Sequence, residues 1–156
     1  MDLNTFLVAT DFSEGAGAAF QMAKKLAKSL GAKLVLLHVI NQKLVVRLAE
    51  YLQAEPDSFL PDLREKAQKQ MSAFLDRWQT DGLECESMVS VGLPFQEIAI
   101  IARDLAVDLV ALGGYGRTSG ARPLEDLFFG STAEKVVRLL PCPVLCVPLG
   151  EGQEKD

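Results

Sequence analysis

The residues best suited to chemistry in this 156-residue chain lie in one glycine-rich stretch, Gly113-Gly114-Tyr115-Gly116-Arg117-Thr118-Ser119-Gly120, followed by Gly130-Ser131-Thr132-Ala133-Glu134. Directly ahead runs Leu109-Val110-Ala111-Leu112, a short apolar segment of strand length. Glycines after a strand permit positive φ and let backbone N–H groups approach an anion with no Cβ in the way. Ser131-x-x-Glu134 fits a capping box, which predicts a helix start whose unpaired N–H groups favour phosphate. The helix dipole contributes only ~0.3–1 kcal/mol, so phosphate affinity would need the loop glycines as well. The same residues also have an ordinary reading, since glycines make turns and a capping Ser stabilises a helix without any ligand. No Gly-Lys-Ser/Thr completes a Walker A loop, and no GxGxxG follows the first apolar run, which disfavours a Rossmann dinucleotide site.

The remaining candidates are few. Asp11 follows the run Phe6-Leu7-Val8-Ala9, where a carboxylate either reaches a ligand or caps the next turn. His38, the only histidine, lies inside the apolar run Leu34–Ile40, which predicts a hydrogen-bonded core residue rather than a base. One histidine excludes metal sites built on several and, unless His38 serves, Ser/His/Asp triads. Cys142 and Cys146 read as small core fillers, Asp108 as the end of a turn and Trp78 as core; Lys24, Lys25 and Lys28 read as a solvated helix face.

The elements that must position these residues follow from periodicity. Strand runs are predicted at Phe6–Ala9, Leu34–Ile40, Cys85–Val91, Leu109–Leu112 and Val144–Val147. Between them come helical stripes: Ala19, Met22, Ala23, Leu26, Ala27 and Leu30, capped by Ser13 and stopped by Gly31; Val45, Leu48, Ala49 and Leu52, broken at Glu55-Pro56-Asp57-Ser58; Leu63 to Trp78; Ile98, Ile101, Ala102 and Leu105 after Pro94; and Ala133, Val136, Val137 and Leu140 before Pro141. Strands alternating with helices predict an α/β fold: a single open five-stranded parallel sheet with helices on both faces. Residues 1–150 are expected to form that domain and residues 151–156 a polar C-terminal tail. Ligands of such sheets bind beyond the strand carboxyl ends at the switch in strand order. Ala9-Thr10-Asp11, Val39-Ile40 and the loop after Leu112 should meet there.

Composition narrows the function further. Sixteen Lys and Arg against 21 Asp and Glu give a net charge of −5, which argues against a nucleic-acid surface. Three cysteines with no CxxC pair, behind an amino terminus unlike a signal peptide, predict reduced thiols in a cytoplasmic protein. No run approaches the ~18 apolar residues of a membrane span.

The segments Val8-Ala9-Thr10-Asp11-Phe12-Ser13, Leu36-Leu37-His38-Val39-Ile40, Val107-Asp108-Leu109-Val110-Ala111-Leu112-Gly113 and Cys142-Pro143-Val144-Leu145-Cys146-Val147-Pro148 together resemble the universal stress protein (UspA-type) family, over Phe6 to Pro148. The resemblance implies an adenine nucleotide alpha-hydrolase-like, Rossmann-like sheet of order 3-2-1-4-5. It also implies a cytoplasmic stress-response or regulatory role, bound ATP (or AMP or ADP) with Mg2+ or Mn2+, and at most slow hydrolysis. A homodimer paired through the last strand, Val144 to Val147, is implied as well. Nucleotide-binding members carry G-x-x-G, nine residues, then G-S/T. On that pattern Gly113 and Gly116 are the first glycines and Gly130-Ser131 the closing pair. Asp11 would meet the ribose and metal region, the Val39 backbone adenine, Leu112 the base and Thr132 the phosphates, with Ala9 and Thr10 alongside.

The spacing departs from the pattern, with thirteen residues, 117–129, between Gly116 and Gly130. The alternative pairing of Gly120 with Gly130 restores nine but puts Arg117 in place of a glycine. The longer loop could carry Arg117 or Arg122 toward phosphates, or displace the site. Two other readings stay open: a non-nucleotide-binding universal stress protein acting through dimerisation and partner contacts, and an adenylating enzyme of related fold. Against the latter, the turn after the first strand reads Thr10-Asp11-Phe12-Ser13 instead of a Ser-Gly-Gly loop.

Overall fold

A computed structural model describes residues 2–114, 131–140 and 142–148. The elements are β1 (Thr5–Ala9), α1 (Glu14–Leu30), β2 (Lys33–Asn41), α2 (Gln42–Leu52), α3 (Pro56–Trp78), β3 (Cys85–Gly92), α4 (Pro94–Asp104), β4 (Leu109–Gly113), α5 (Ser131–Leu139) and β5 (Val144–Val147). The strands form one sheet of order β3-β2-β1-β4-β5, as expected, with every pairing parallel. Phe6 and Val8 of β1, with Leu34 and Leu36 of β2, pack under α1 and α3 through Ala16, Phe20, Ala23, Ala27, Met71 and Phe74. Leu7, Val35, Leu37, Val110 and Leu112 face the other way, onto Ile98 and Ala102 of α4 and Val136 of α5. Burial on both faces explains why the strands read as continuous apolar runs instead of alternating ones.

The helix ends follow their caps. Ser13 Oγ accepts from the Ala16 N–H at 3.2 Å, and Gly31 closes α1 in the left-handed region at φ 70°. Pro56 breaks α2 only in the sense that it opens α3, seven residues before Leu63, where the apolar stripe led us to start that helix. Proline is favoured at a first helical position, and Phe59, Leu60 and Leu63 then pack on Ile40, Val45 and Ala67. Four predicted stripes are also drawn too wide. Met22 and Leu30 of α1, Leu52 of α2, Leu105 after α4 and Val137 of α5 are exposed, since no element of the described fold covers their sides.

The clearest correction concerns Lys24, expected on a solvated face but only 4 % exposed. Its Nζ donates to the carbonyls of Trp78 and Gln79, both at 2.6 Å, and to Asp81 Oδ2 at 3.0 Å. Helix C-termini leave carbonyls without helical donors. Here the end of α3 lies beside α1, so a lysine of one helix caps the other. Arg77 reinforces the contact by gripping both carboxylate oxygens of Glu14 at 2.6 and 2.9 Å while stacking 4.5 Å from the Trp78 ring. Asp108 does more than end a turn, because its Oδ2 accepts from the Asn4 and Thr5 N–H groups at 2.8 and 3.0 Å and so ties β1 to the start of β4.

Replacing Lys24 with Met is expected to lower unfolding free energy by about 1–3 kcal/mol, measured by urea denaturation, because carbonyls of α3 lose a charged donor. The hydrogen bond from Lys24, and then its charge, hold the Asp81 carboxyl below its ordinary value of 3.8. A depressed carboxylate stabilises the fold above its unfolded pKa, and that contribution disappears as pH falls through the folded value. The gap in urea midpoint between wild type and Asp81→Asn should therefore be present at pH 7 and close below pH 3.8.

Candidate functional site

The strand order reverses at β1, which has β2 on one side and β4 on the other. This switch point is where an open α/β sheet leaves a crevice at its carboxyl edge. Ala9 pairs with Leu37, and Val8 with Ala111, so the ends of β1, β2 and β4 come level there. Thr10 prolongs the β1 ladder by donating its N–H to the Leu37 carbonyl at 2.8 Å.

The chain then turns sharply, and its own side chains satisfy the turn. Thr10 Oγ1 accepts from the Phe12 N–H at 2.9 Å, Asp11 Oδ1 from the Ser13 N–H at 3.0 Å, and Ser13 Oγ from Ala16. Phe12 sits at φ 66°, a conformation that costs a bulky residue of order 1–3 kcal/mol. Contacts hold it there: its ring lies 4.3 Å from the His38 ring and 6.2 Å, edge-on, from Phe74. His38 Nδ1 is 2.8 Å from the Thr10 carbonyl, and since a carbonyl only accepts, Nδ1 carries the proton. The hydrogen-bonded histidine expected from sequence is therefore present, half-buried and attached to the turn that carries Asp11.

On the other side of the switch point, β4 meets α1 backbone to backbone. A Cβ on Gly113 would stand 2.6 Å from the Gly15 carbonyl carbon, 2.7 Å from its oxygen and 3.0 Å from the Ala16 nitrogen. Gly113 thus has a packing role whether or not a phosphate binds. The Gly114 N–H is committed as well, to the Val147 carbonyl at 3.0 Å. Gly15 and Gly17 were not singled out from sequence, although glycines inside a helix are a recognised sign of close approach. A Cβ on Gly17 would fall within the Trp78 ring.

Of the predicted site residues, Ala9, Thr10, Asp11, Val39, Leu112 and Gly113 come together at this edge; Thr10 and Leu112 are buried and the others half-buried. Helix α5 starts at Ser131, where the capping box put it, and Thr132 is half-buried. Gly116, Arg117 and Gly130 lie outside the described residues. Beside Val39 on the neighbouring strand, Ser90 Oγ is buried with no hydrogen-bond partner among the described residues. Burial pushes the thiols of Cys85, Cys142 and Cys146 upward, which keeps them protonated and poorly nucleophilic at neutral pH. Among the described residues no three His, Cys, Asp or Glu side chains gather as a metal site.

Residues 3–148 match the model of the universal stress protein family. The chain belongs to that family. Universal stress protein YxiE of Bacillus subtilis is 31% identical over 149 residues, covering 92% of this chain and 98% of its own. Universal stress protein MJ0577 of Methanocaldococcus jannaschii is 28% identical over 153 residues, covering 90% and 92%. The solved structure of MJ0577 superposes with a TM-score of 0.79 over 97% of this chain and 99% of that one. A universal stress protein from Archaeoglobus fulgidus, solved in complex with dAMP, shares the fold at 18% identity, with a TM-score of 0.63 over 94% of this chain and 99% of that one. Among the described residues of this universal stress protein, no helix is long and apolar enough to cross a membrane.

Gly113→Ala is expected to destabilise the protein by about 1–3 kcal/mol in a denaturant titration, because the new methyl meets backbone on α1 that has no rotamer to change.

Proposed function

We propose that this universal stress protein binds an adenine nucleotide, ATP or a relative such as ADP or AMP, at the β1–β4 switch point, in a cytoplasmic stress-response or regulatory role. The observation that carries this reading is the convergence of Asp11, Val39, Leu112 and Gly113 on one sheet edge, in a family with a dAMP-bound member. The Val39 backbone and Leu112 would take the base and Asp11 the ribose. Gly116, Arg117, Gly130, Ser131 and Thr132 would receive the phosphates. In a protein of net charge −5, backbone N–H groups and a cation must offset the phosphate charge. The Asp11 carboxylate is a hard oxygen donor of the kind Mg2+ or Mn2+ takes, beside waters and phosphate oxygens. Such an ion would neutralise phosphate charge. His38 Nδ1 serves the Thr10 carbonyl, and we take nucleotide binding as the main activity, with any hydrolysis slow.

Among the described strands, β5 lies at the edge of the sheet and pairs with β4. Pairing it with β5 of a second copy would occupy its outer backbone groups, which is how we read the homodimer. A form that dimerises without nucleotide is the competing reading, favoured by the thirteen-residue gap between Gly116 and Gly130 and by the commitment of the Gly114 N–H to Val147.

Mass spectrometry of the small molecules released on denaturation should find an adenine nucleotide. ATP with Mg2+ at 100 times Kd should add about 2.7 kcal/mol of stability, a rise in melting temperature of about 5–10 °C for a chain of this size. Asp11→Ala should weaken binding about 10- to 100-fold. No released nucleotide and no shift, together with a dimer by sedimentation, would replace this reading with the competing one.

A further inference from the structure

We propose that His38 is the positioning residue for Asp11, setting the turn that presents this carboxylate to a bound nucleotide; as far as it concerns ligand, this rests on the nucleotide-binding reading. The geometry is specific. His38 touches the residues on both sides of Asp11 and is separated from them by a full helix in sequence. Its Nδ1–H donates to the carbonyl of Thr10 at 2.8 Å, and its ring packs 4.3 Å from that of Phe12, at 31° between planes. Thr10 is buried, so its backbone has little access to water as a substitute partner. Phe12 is held at φ 66°, which it would leave if its ring were released.

Both contacts act on one object. The peptide linking Thr10 to Asp11 is fixed from the carbonyl side by His38, and the peptide after Asp11 is fixed through Phe12. Asp11 Oδ1 then completes the turn by accepting the Ser13 N–H at 3.0 Å. A leucine at position 38 would suit the run Leu34–Ile40 equally well and would supply neither contact. An imidazole joins a flat ring face to an in-plane N–H donor close to the backbone. The polar choice inside an apolar strand is thus explained by the turn it holds.

Two substitutions separate the contacts. His38→Phe keeps a flat ring and removes the donor, whereas His38→Asn keeps an N–H near the Nδ1 position and removes the ring. With circular dichroism used to establish folding, ATP·Mg2+ affinity is measured by calorimetry for wild type, both variants, Asp11→Ala and the double variant His38→Phe/Asp11→Ala. We expect His38→Phe to bind about tenfold more weakly, His38→Asn to recover part of that loss, and His38→Phe to cost nothing further once Asp11 is alanine. Equal affinity of wild type and His38→Phe would overturn the proposal, as would a loss of the same size in the Asp11→Ala background. A second readout needs no nucleotide. Hydrogen exchange of the Phe12 and Ser13 amides should accelerate in His38→Phe while that of Leu36 stays slow, and unchanged exchange at Phe12 and Ser13 would refute the positioning role. If wild type binds no adenine nucleotide, the binding reading falls and the amide measurement alone decides the role of His38.

Discussion

The seat of α1 over the middle of the sheet governs this structure. Gly113 at the end of β4 touches the backbone of Gly15 and Ala16, and Gly17, two residues after Gly15, lies against the Trp78 ring. α1 and β4 can approach so closely only because Gly113 has no Cβ, and the absence of one at Gly17 admits the Trp78 ring of α3. Gly15, Ala16, Gly17, Ala18 and Ala19 are all buried as a result, and the first turn of α1 is brought to the edge of the switch point. The turn before α1, with Asp11 at its centre, is then suspended between two fixed points: the β1–β2 ladder and a helix start that cannot slide along β4.

The second fixed relation is between α1 and α3. Lys24, Arg77 and Trp78 link the two helices by a charged cap, a bidentate ion pair to Glu14 and a ring set against Gly17. The exposed Arg77–Glu14 pair is worth little alone, whereas the buried ammonium of Lys24 satisfies several acceptors at once. Phe74 belongs to the same helix and touches both Phe20 of α1 and Phe12 of the turn. Packing on one face of the sheet is thereby transmitted to the site, since Phe12 holds its conformation against an aromatic group fixed by α3 and another fixed by β2.

The polar groups at the turn are largely occupied with one another, through Thr10, Asp11 and Ser13. The cysteines are driven toward their neutral thiols by burial, and the histidine is engaged with backbone. The binding role proposed for this member of the universal stress protein family would draw on the backbone of this edge and on the Asp11 carboxylate.

Strands, parallel topology and most helix starts and stops, that of α3 excepted, were legible in the chain because they depend on neighbours in sequence. Apolar runs of strand length, Ser13 and Ser131 at helix starts and Gly31 at a helix end act over a few residues. The gathering of Ala9, Asp11, Val39 and Leu112 was legible too, because alternating strands and helices in a parallel sheet bring the carboxyl ends of neighbouring strands to one edge. The environment of Lys24, the exposure of Met22 and Val137, the early start of α3 at Pro56 and the attachment of His38 to Thr10 and Phe12 were decided by tertiary structure. Each of these depends on which distant segment lies alongside. Periodicity assigns a side chain to a face, but only the packed neighbour determines whether that face meets water, a ring or an uncapped carbonyl.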